Sequence, residues 1–327
     1  GKIALSQRGN CAYALKVKHA QDVGAAAALI YNHNNDGTLT PMGGSDNPVT
    51  IPSQGLNYSD RTAIVTALGN TSAISLRMQT TAGLRRDGTI DNAIIAHEWG
   101  HYISNRLVQN SSGLTTNQSG GMGEGFGDFH ALLMMVKEED ALVASNPNFS
   151  GVYAEAAYVS GGDSFPVSPN QGFYYGIRRY PYSTDFAKNP LTYKYVENGV
   201  ALPSSPPPAF GQDGASNAEV HNTGEVWANA LWECYAALLR DTTRLTFAQA
   251  QDRMKTYMVA GYKLMPPAPT FMEARDAILS AAHANDPQDF ALCAAGFARR
   301  GFGSGAEPPT DRFGADNAGV VESFSVD

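Results

Sequence analysis

The sequence predicts an α+β molecule in two parts, a small α/β domain over residues 1–83 and a mostly α-helical domain over residues 84–327. Three observations predict it. A chain of 327 residues, 43% of them hydrophobic, is long enough to bury more than one core. Its opening stretch runs apolar segment, turn, helical period and apolar segment, which is the order of a βαβ unit. From Asp87 onward long helical patterns take over, separated by Gly-, Pro- and Ser-rich connections.

Element by element, Ile3 to Leu5 reads as a strand, Arg8, Gly9 and Asn10 as a turn, Ala12 to Gly24 as a helix and Ala26 to Tyr31 as a second strand. These lengths imply a parallel pair joined by a right-handed crossover. An Asn- and Gly-rich loop follows from Asn32 to Asn47, then Val49 to Ile51, a helical stretch at Asp60 to Leu68 and a strand at Ser72 to Met78. His19 and His33 read as a solvated helix-face and a loop histidine. In the second part a helix covers Ile90 to Ile103, another starts near Glu124, and a third follows His221. Val226, Ala230, Leu231, Cys234 and Leu238 form the apolar stripe of that third helix. Pro203 to Gly214, PSSPPPAFGQDG, is expected to be an irregular loop on the rim of a site, because proline removes N–H donors and fixes φ.

Several function classes are excluded. The net charge is −8 and no run of Lys or Arg could neutralise a line of phosphates, so nucleic acid is not an expected partner. No apolar run approaches the ~20 residues of a membrane-spanning helix. Cys11, Cys234 and Cys293 form no CxxC pair and read as small buried hydrophobes, with Cys234 and Cys293 the pair to test for a bridge. The chain opens at Gly1 inside a strand, without an initiator Met or a leader, and reads as a fragment or processed form.

Chemistry concentrates in three segments. In IDNAIIAHEWGHYI, His97 and His101 stand four residues apart on one helix face, so two imidazoles can reach one ion. Glu98 lies about 100° further round the helix, beside a metal-bound water and not on the metal, which is the position of a general base. In GMGEGFGDF, Glu124 offers the third ligand of a catalytic zinc, which keeps its fourth position open. Asp128 can accept a hydrogen bond from the far nitrogen of a zinc-bound histidine, His97 by preference. In VHNTGEVWANALWECY, His221 sits at a helix start, where a protonated imidazole could stabilise an oxyanion.

HEWGH, GEGFGD and VHNTGEVW, in that order, resemble the metal and catalytic segments of the fungalysin family, relatives of thermolysin. GIRRYPYSTDFAKNPLTY and NAGVVESF extend the likeness over nearly the whole second part, which then resembles a thermolysin-like C-terminal lobe. The resemblance implies a secreted, zinc-dependent endopeptidase that hydrolyses internal peptide bonds with a zinc-activated water. One zinc would be held by His97, His101 and Glu124, with Glu98 as base, Asp128 behind the ligands and His221 aiding the transition state. Arg178 becomes a candidate for holding the substrate backbone carbonyl, with an ordinary salt-bridging role as the alternative. Proteins and peptides are the implied substrates, and an inhibitory propeptide or a preceding β-rich lobe, absent from this chain, the implied partners. The opening GKIALSQRGNCAYALKVKHAQDVGAAAALIYN and the later TIPSQGLNYSD resemble a protease-associated domain.

There are departures. Thr115 stands where thermolysin has a tyrosine nine residues before its glutamate ligand, so a second oxyanion donor is unassigned, with Tyr180 or Tyr182 to be weighed against aromatic packing. Ala93 and Met135 occupy the places of thermolysin's acidic calcium ligands, so calcium is not supported. Asn-x-Ser/Thr sites at Asn57, Asn70, Asn110, Asn117 and Asn148 agree with secretion. An aminopeptidase would need a site for a free amine, which is not seen. A binding module with a structural metal would have no use for Glu98.

Overall fold

The computed structural model describes residues 1–33, 48–70, 73–78, 86–161, 169–203 and 215–326. The chain divides into two compact units, Gly1–Thr81 and Ala82–Asp327. Three segments with sequence expectations fall wholly or partly outside the described residues: the loop from Asn32 to Asn47, the Pro-rich loop from Pro203 to Gly214, and the strand from Ser72 to Met78.

In the first unit, β1 (Ile3–Gln7), α1 (Tyr13–Asp22) and β2 (Ala27–Tyr31) form the βαβ unit, with β1 and β2 parallel and Leu5 opposite Leu29. A third parallel strand, β3 (Ser53–Leu56), pairs with β2 to give the order β1-β2-β3, and α2 (Tyr58–Asn70) follows. Val17, Ala20, Ala28 and Ile30 make its small core. The third strand is therefore Ser-Gln-Gly-Leu, and residues 73–78 carry no regular structure. The sequence reads as a strand at Ser72 to Met78, but a strand exists only where its backbone finds a ladder, and β2 finds its ladder at 53–56.

The second unit is helical. The helix α3 (Asn92–Leu107) is capped by Asp91, whose side chain accepts from Ala93 N. The next, α4 (Asn117–Met135), opens with a capping box between Thr116 and Ser119. Its glycine-rich stretch is thus helix interior, and Glu124 lies two turns in, not at the helix start that the sequence suggested. Glycine disfavours an isolated helix by about 1 kcal/mol, yet here it lets neighbours approach. A Cβ on Gly127 would lie 2.7 Å from the His97 ring, and one on Gly125 would lie 2.5 Å from the Gly224 carbonyl oxygen.

Two short helices follow, α5 (Ala157–Ser160) and α6 (Pro169–Tyr175), and then α7 (Val220–Arg240). An apolar stripe was expected on α7, but it is buried at every position from Thr223 to Leu239 except Ala237, because α4 packs on one side and the helix Pro287–Arg299 on another. The remaining helices are α8 (Phe247–Leu264), α9 (Phe271–Asn285) and α10 (Pro287–Arg299), and Trp227, Trp232, Phe126, Phe271 and Phe297 fill the core between them. A disulfide joins Cys234 of α7 to Cys293 of α10, while Cys11 is an exposed free thiol. The pair named for a bridge is joined and buried, and the reading of all three cysteines as small buried hydrophobes is corrected: two are bonded to each other, and Cys11 lies in a surface turn. Among the described residues no helix is long and apolar enough to cross a membrane.

Candidate metal centre

The centre forms where α3, α4 and the first turn of α7 meet. Helical spacing puts His97 and His101 on one face of α3, and their Nε2 atoms lie 2.9 Å apart. Glu124 on α4 brings Oε2 to 3.4 Å from His97 Nε2 and 3.5 Å from His101 Nε2. That oxygen is buried and without a hydrogen-bond partner. Two imidazole nitrogens and one carboxylate oxygen thus face a common point, and a triangle of these edges accepts an ion about 2.0 Å from each corner, the length of zinc–nitrogen and zinc–oxygen bonds. The donor set suits zinc, and an orphaned buried carboxylate oxygen is a vacancy in bonding that a cation would fill.

The support beneath His97 is complete. Its Nδ1–H donates to Asp128 Oδ1 at 2.7 Å, which leaves the Nε2 lone pair directed at the centre. Asp128 is fully buried and also accepts from Arg178, through Nε to Oδ2 at 2.6 Å and Nη2 to Oδ1 at 2.7 Å, and from the Tyr182 hydroxyl. Burial alone would raise the Asp128 carboxyl, but the Arg178 guanidinium and His97 outweigh it and hold the group below the usual carboxylate range. In the metal-free chain, burial pulls His97 down while its hydrogen bond to Asp128 and the nearby Glu124 carboxylate prevail, raising it to about 10.

Glu98 is exposed and stands outside the ligand cluster. His221 reaches in from α7, its Nε2 3.4 Å from Glu124 Oε2 and its Nδ1 donating to Glu219 Oε1 at 2.7 Å. Glu219 also caps α7, accepting from His221 N and Asn222 N. Arg178, considered as a grip on substrate, is only 7% exposed and places two of its five N–H donors on Asp128. Tyr182, considered as an oxyanion donor, is fully buried with its hydroxyl on Asp128, and Tyr180 lies in the same core. The Tyr182 hydroxyl is thus taken up by Asp128.

Three residues of this neighbourhood escaped the sequence reading. Tyr182 as a partner of Asp128 lies 54 residues away and had no local signal. Glu219 did have one, a carboxylate two residues before a histidine at a helix start. Glu155 is the third: it is 1% exposed, its carboxyl lies with His97 and Asp128, and neither oxygen has a hydrogen-bond partner. Burial, reinforced by the Asp128 charge, pushes this carboxyl well above the usual range.

Comparison with known proteins points to one family. The sequence profile of a family described as Fungalysin metallopeptidase (M36) matches residues 28–306. Extracellular metalloproteinase 10 of Coccidioides posadasii (strain C735) is 33% identical over 252 residues, covering 73% of this chain and 34% of the relative. Probable extracellular metalloproteinase 2 of Arthroderma benhamiae is 34% identical over 251 residues, 72% of this chain and 34% of the relative. Extracellular metalloproteinase mep of Aspergillus niger is 33% identical over 244 residues, 68% of this chain and 32% of the relative. The chain spans about a third of the length of these curated relatives.

Proposed function

This chain belongs to the fungalysin (M36) metallopeptidase family, and on that premise we propose that it carries the zinc centre of a secreted endopeptidase that hydrolyses internal peptide bonds of proteins and peptides. The observation that carries the proposal is the convergence of His97 Nε2, His101 Nε2 and the partnerless Glu124 Oε2 on one point. Zinc bound there would act as a Lewis acid on the scissile carbonyl and make water a nucleophile at neutral pH.

The chain's own residues do the rest. Glu98 takes the proton from the attacking water and delivers it to the leaving amine as the C–N bond breaks. Asp128 holds His97 in the tautomer whose Nε2 is free, and Arg178 and Tyr182 hold Asp128. Any contact of Arg178 with a substrate carbonyl would use the N–H groups that Asp128 does not take. His221, its Nδ1 anchored on Glu219, presents Nε2 to the oxyanion that develops on the carbonyl. The Gly1–Thr81 unit, with its small parallel sheet, fits a protease-associated module that binds and does not react. Its βαβ order supports that reading. The relatives named as extracellular metalloproteinases support secretion.

Metal content of the purified chain, with cleavage of an internally quenched, end-blocked peptide, tests the proposal. One equivalent of zinc and chelator-sensitive cleavage are expected. Glu98→Gln should keep the zinc and lose activity by several orders of magnitude. A zinc-loaded Gln variant that cleaves normally would remove Glu98 from its role, and a chain that binds no zinc would remove the centre.

A further inference from the structure

Arg178 and Arg179 are consecutive and both buried, yet they grip different helices. Arg178 takes Asp128 on α4. Arg179, fully buried, turns to the start of α7: Nε donates to Glu225 Oε1, Nη1 to Asn217 Oδ1 at 2.7 Å and Nη2 to the Asn222 carbonyl at 3.0 Å. Its backbone N–H donates to Glu225 Oε2 at 2.8 Å. These contacts fall before His221, immediately after it and one turn on. Asn217 is fixed in turn, its Nδ2 donating to the Glu197 and Val200 carbonyls and its own carbonyl accepting from Thr223 Oγ1.

From this arrangement we infer that Arg179 is a positioning residue for His221, setting the first turn of α7 against the metal centre. The inference rests on the reading of His221 given above. Two neighbouring Cα atoms lie about 3.8 Å apart whatever the fold does, so a single peptide link joins the brace behind His97 to the brace around His221. A slide or rotation of the α7 start would break Arg179's fork, which meets three acceptors in fixed directions. A buried ion pair adds little net stability by itself, because desolvation offsets its attraction. Retaining one beside the centre, with a carbonyl and an amide gathered by the same guanidinium, is better accounted for by geometry than by stability.

Arg179→Lys keeps a cation for Glu225 but cannot reach Asn217 and Asn222 together. The test compares it with Arg178→Lys in the full chain with 15N-labelled histidine, in metal-free and zinc-loaded forms. The expected result is a crossed pattern: Arg179→Lys moves the His221 ring signals and leaves those of His97 and His101, while Arg178→Lys moves His97 and leaves His221. Where Arg179→Lys does not fold, Asn217→Ala removes one of the three grips and should move His221 in the same direction by less. Unmoved His221 signals, or a shift of all histidine signals together, would overturn the inference.

In cleavage, Arg179→Lys should lower kcat about tenfold with KM unchanged, and should cost nothing more when added to His221→Ala. Independent, multiplying losses would overturn the inference. If His221→Ala alone leaves cleavage intact, the role given to His221 fails instead, and the ring signals still decide whether Arg179 positions it.

Discussion

Asp128 is the residue on which the centre's order converges. Four hydrogen bonds from three side chains end on one fully buried carboxylate. Asp128→Asn removes the charge that Arg178 and His97 both require, so zinc affinity should fall by about 10- to 100-fold in a chelator competition. Tyr182→Phe should cost less, since the arginine fork remains. The metal-free chain carries a pH signature as well. A group whose pKa is raised on folding stabilises the fold below its unfolded value and loses that contribution as pH rises through the folded one. For His97 the window runs from the ordinary 6.5 up to about 10. Urea unfolding of chelator-treated protein should show lower stability at the upper end of that window than at the lower, and a flat profile would contradict the raised His97 pKa. At this scale the shared face of His97 and His101 was legible because their spacing is local, four residues within one helix, and Glu124 stood out as a candidate through its segment GMGEGFGDF. Arg178's partner, Tyr182's hydroxyl and the unpartnered Glu155 were not, since the residues that meet there are tens of positions apart and only the packed helices choose them.

Among the elements, α4 shows how glycine shapes a site. Gly127 abuts the His97 ring and Gly125 abuts the backbone of α7, so the two helices that bear histidines both press against one that bears the glutamate. Gly127→Ala would place a methyl 2.7 Å from the imidazole, which is itself pinned by Asp128. Loss of zinc and a destabilisation of about 1–3 kcal/mol, typical of overpacking, are expected in thermal unfolding. Gly123 is the control: a Cβ there meets only Leu114 at 3.6 Å, an ordinary contact. Gly123→Ala should keep the zinc and raise stability by up to about 1 kcal/mol. The same glycines hid the first two turns of this helix from the sequence reading, since helix propensity is low wherever close packing supplies the stability. The strand β3 was hidden for a related reason: Ser-Gln-Gly-Leu has no alternation, and only the free edge of β2 makes it a strand.

For the molecule as a whole, the chain falls into two compact units, and the change of period along the sequence lies close to that division; the bridge between Cys234 and Cys293 was legible only as a pair to test, because both cysteines sit in helical patterns while three cysteines alone carry no pattern. That bond closes a span of 59 residues between the helix that presents His221 and the last helix of the chain. Replacing both cysteines with alanine should lower stability by about 2–5 kcal/mol, read by denaturant unfolding with and without reductant. Cys11, exposed in the other unit, should alkylate in the native state without effect on that curve. Both sulfurs of the bridge are fully buried, so reagents in the medium reach neither in the folded protein. The bond is therefore a record of where the chain matured: native protein from an oxidising compartment should weigh less, by two hydrogens, than the same chain made where thiols stay reduced, and no later change of surroundings should erase the difference until the fold opens.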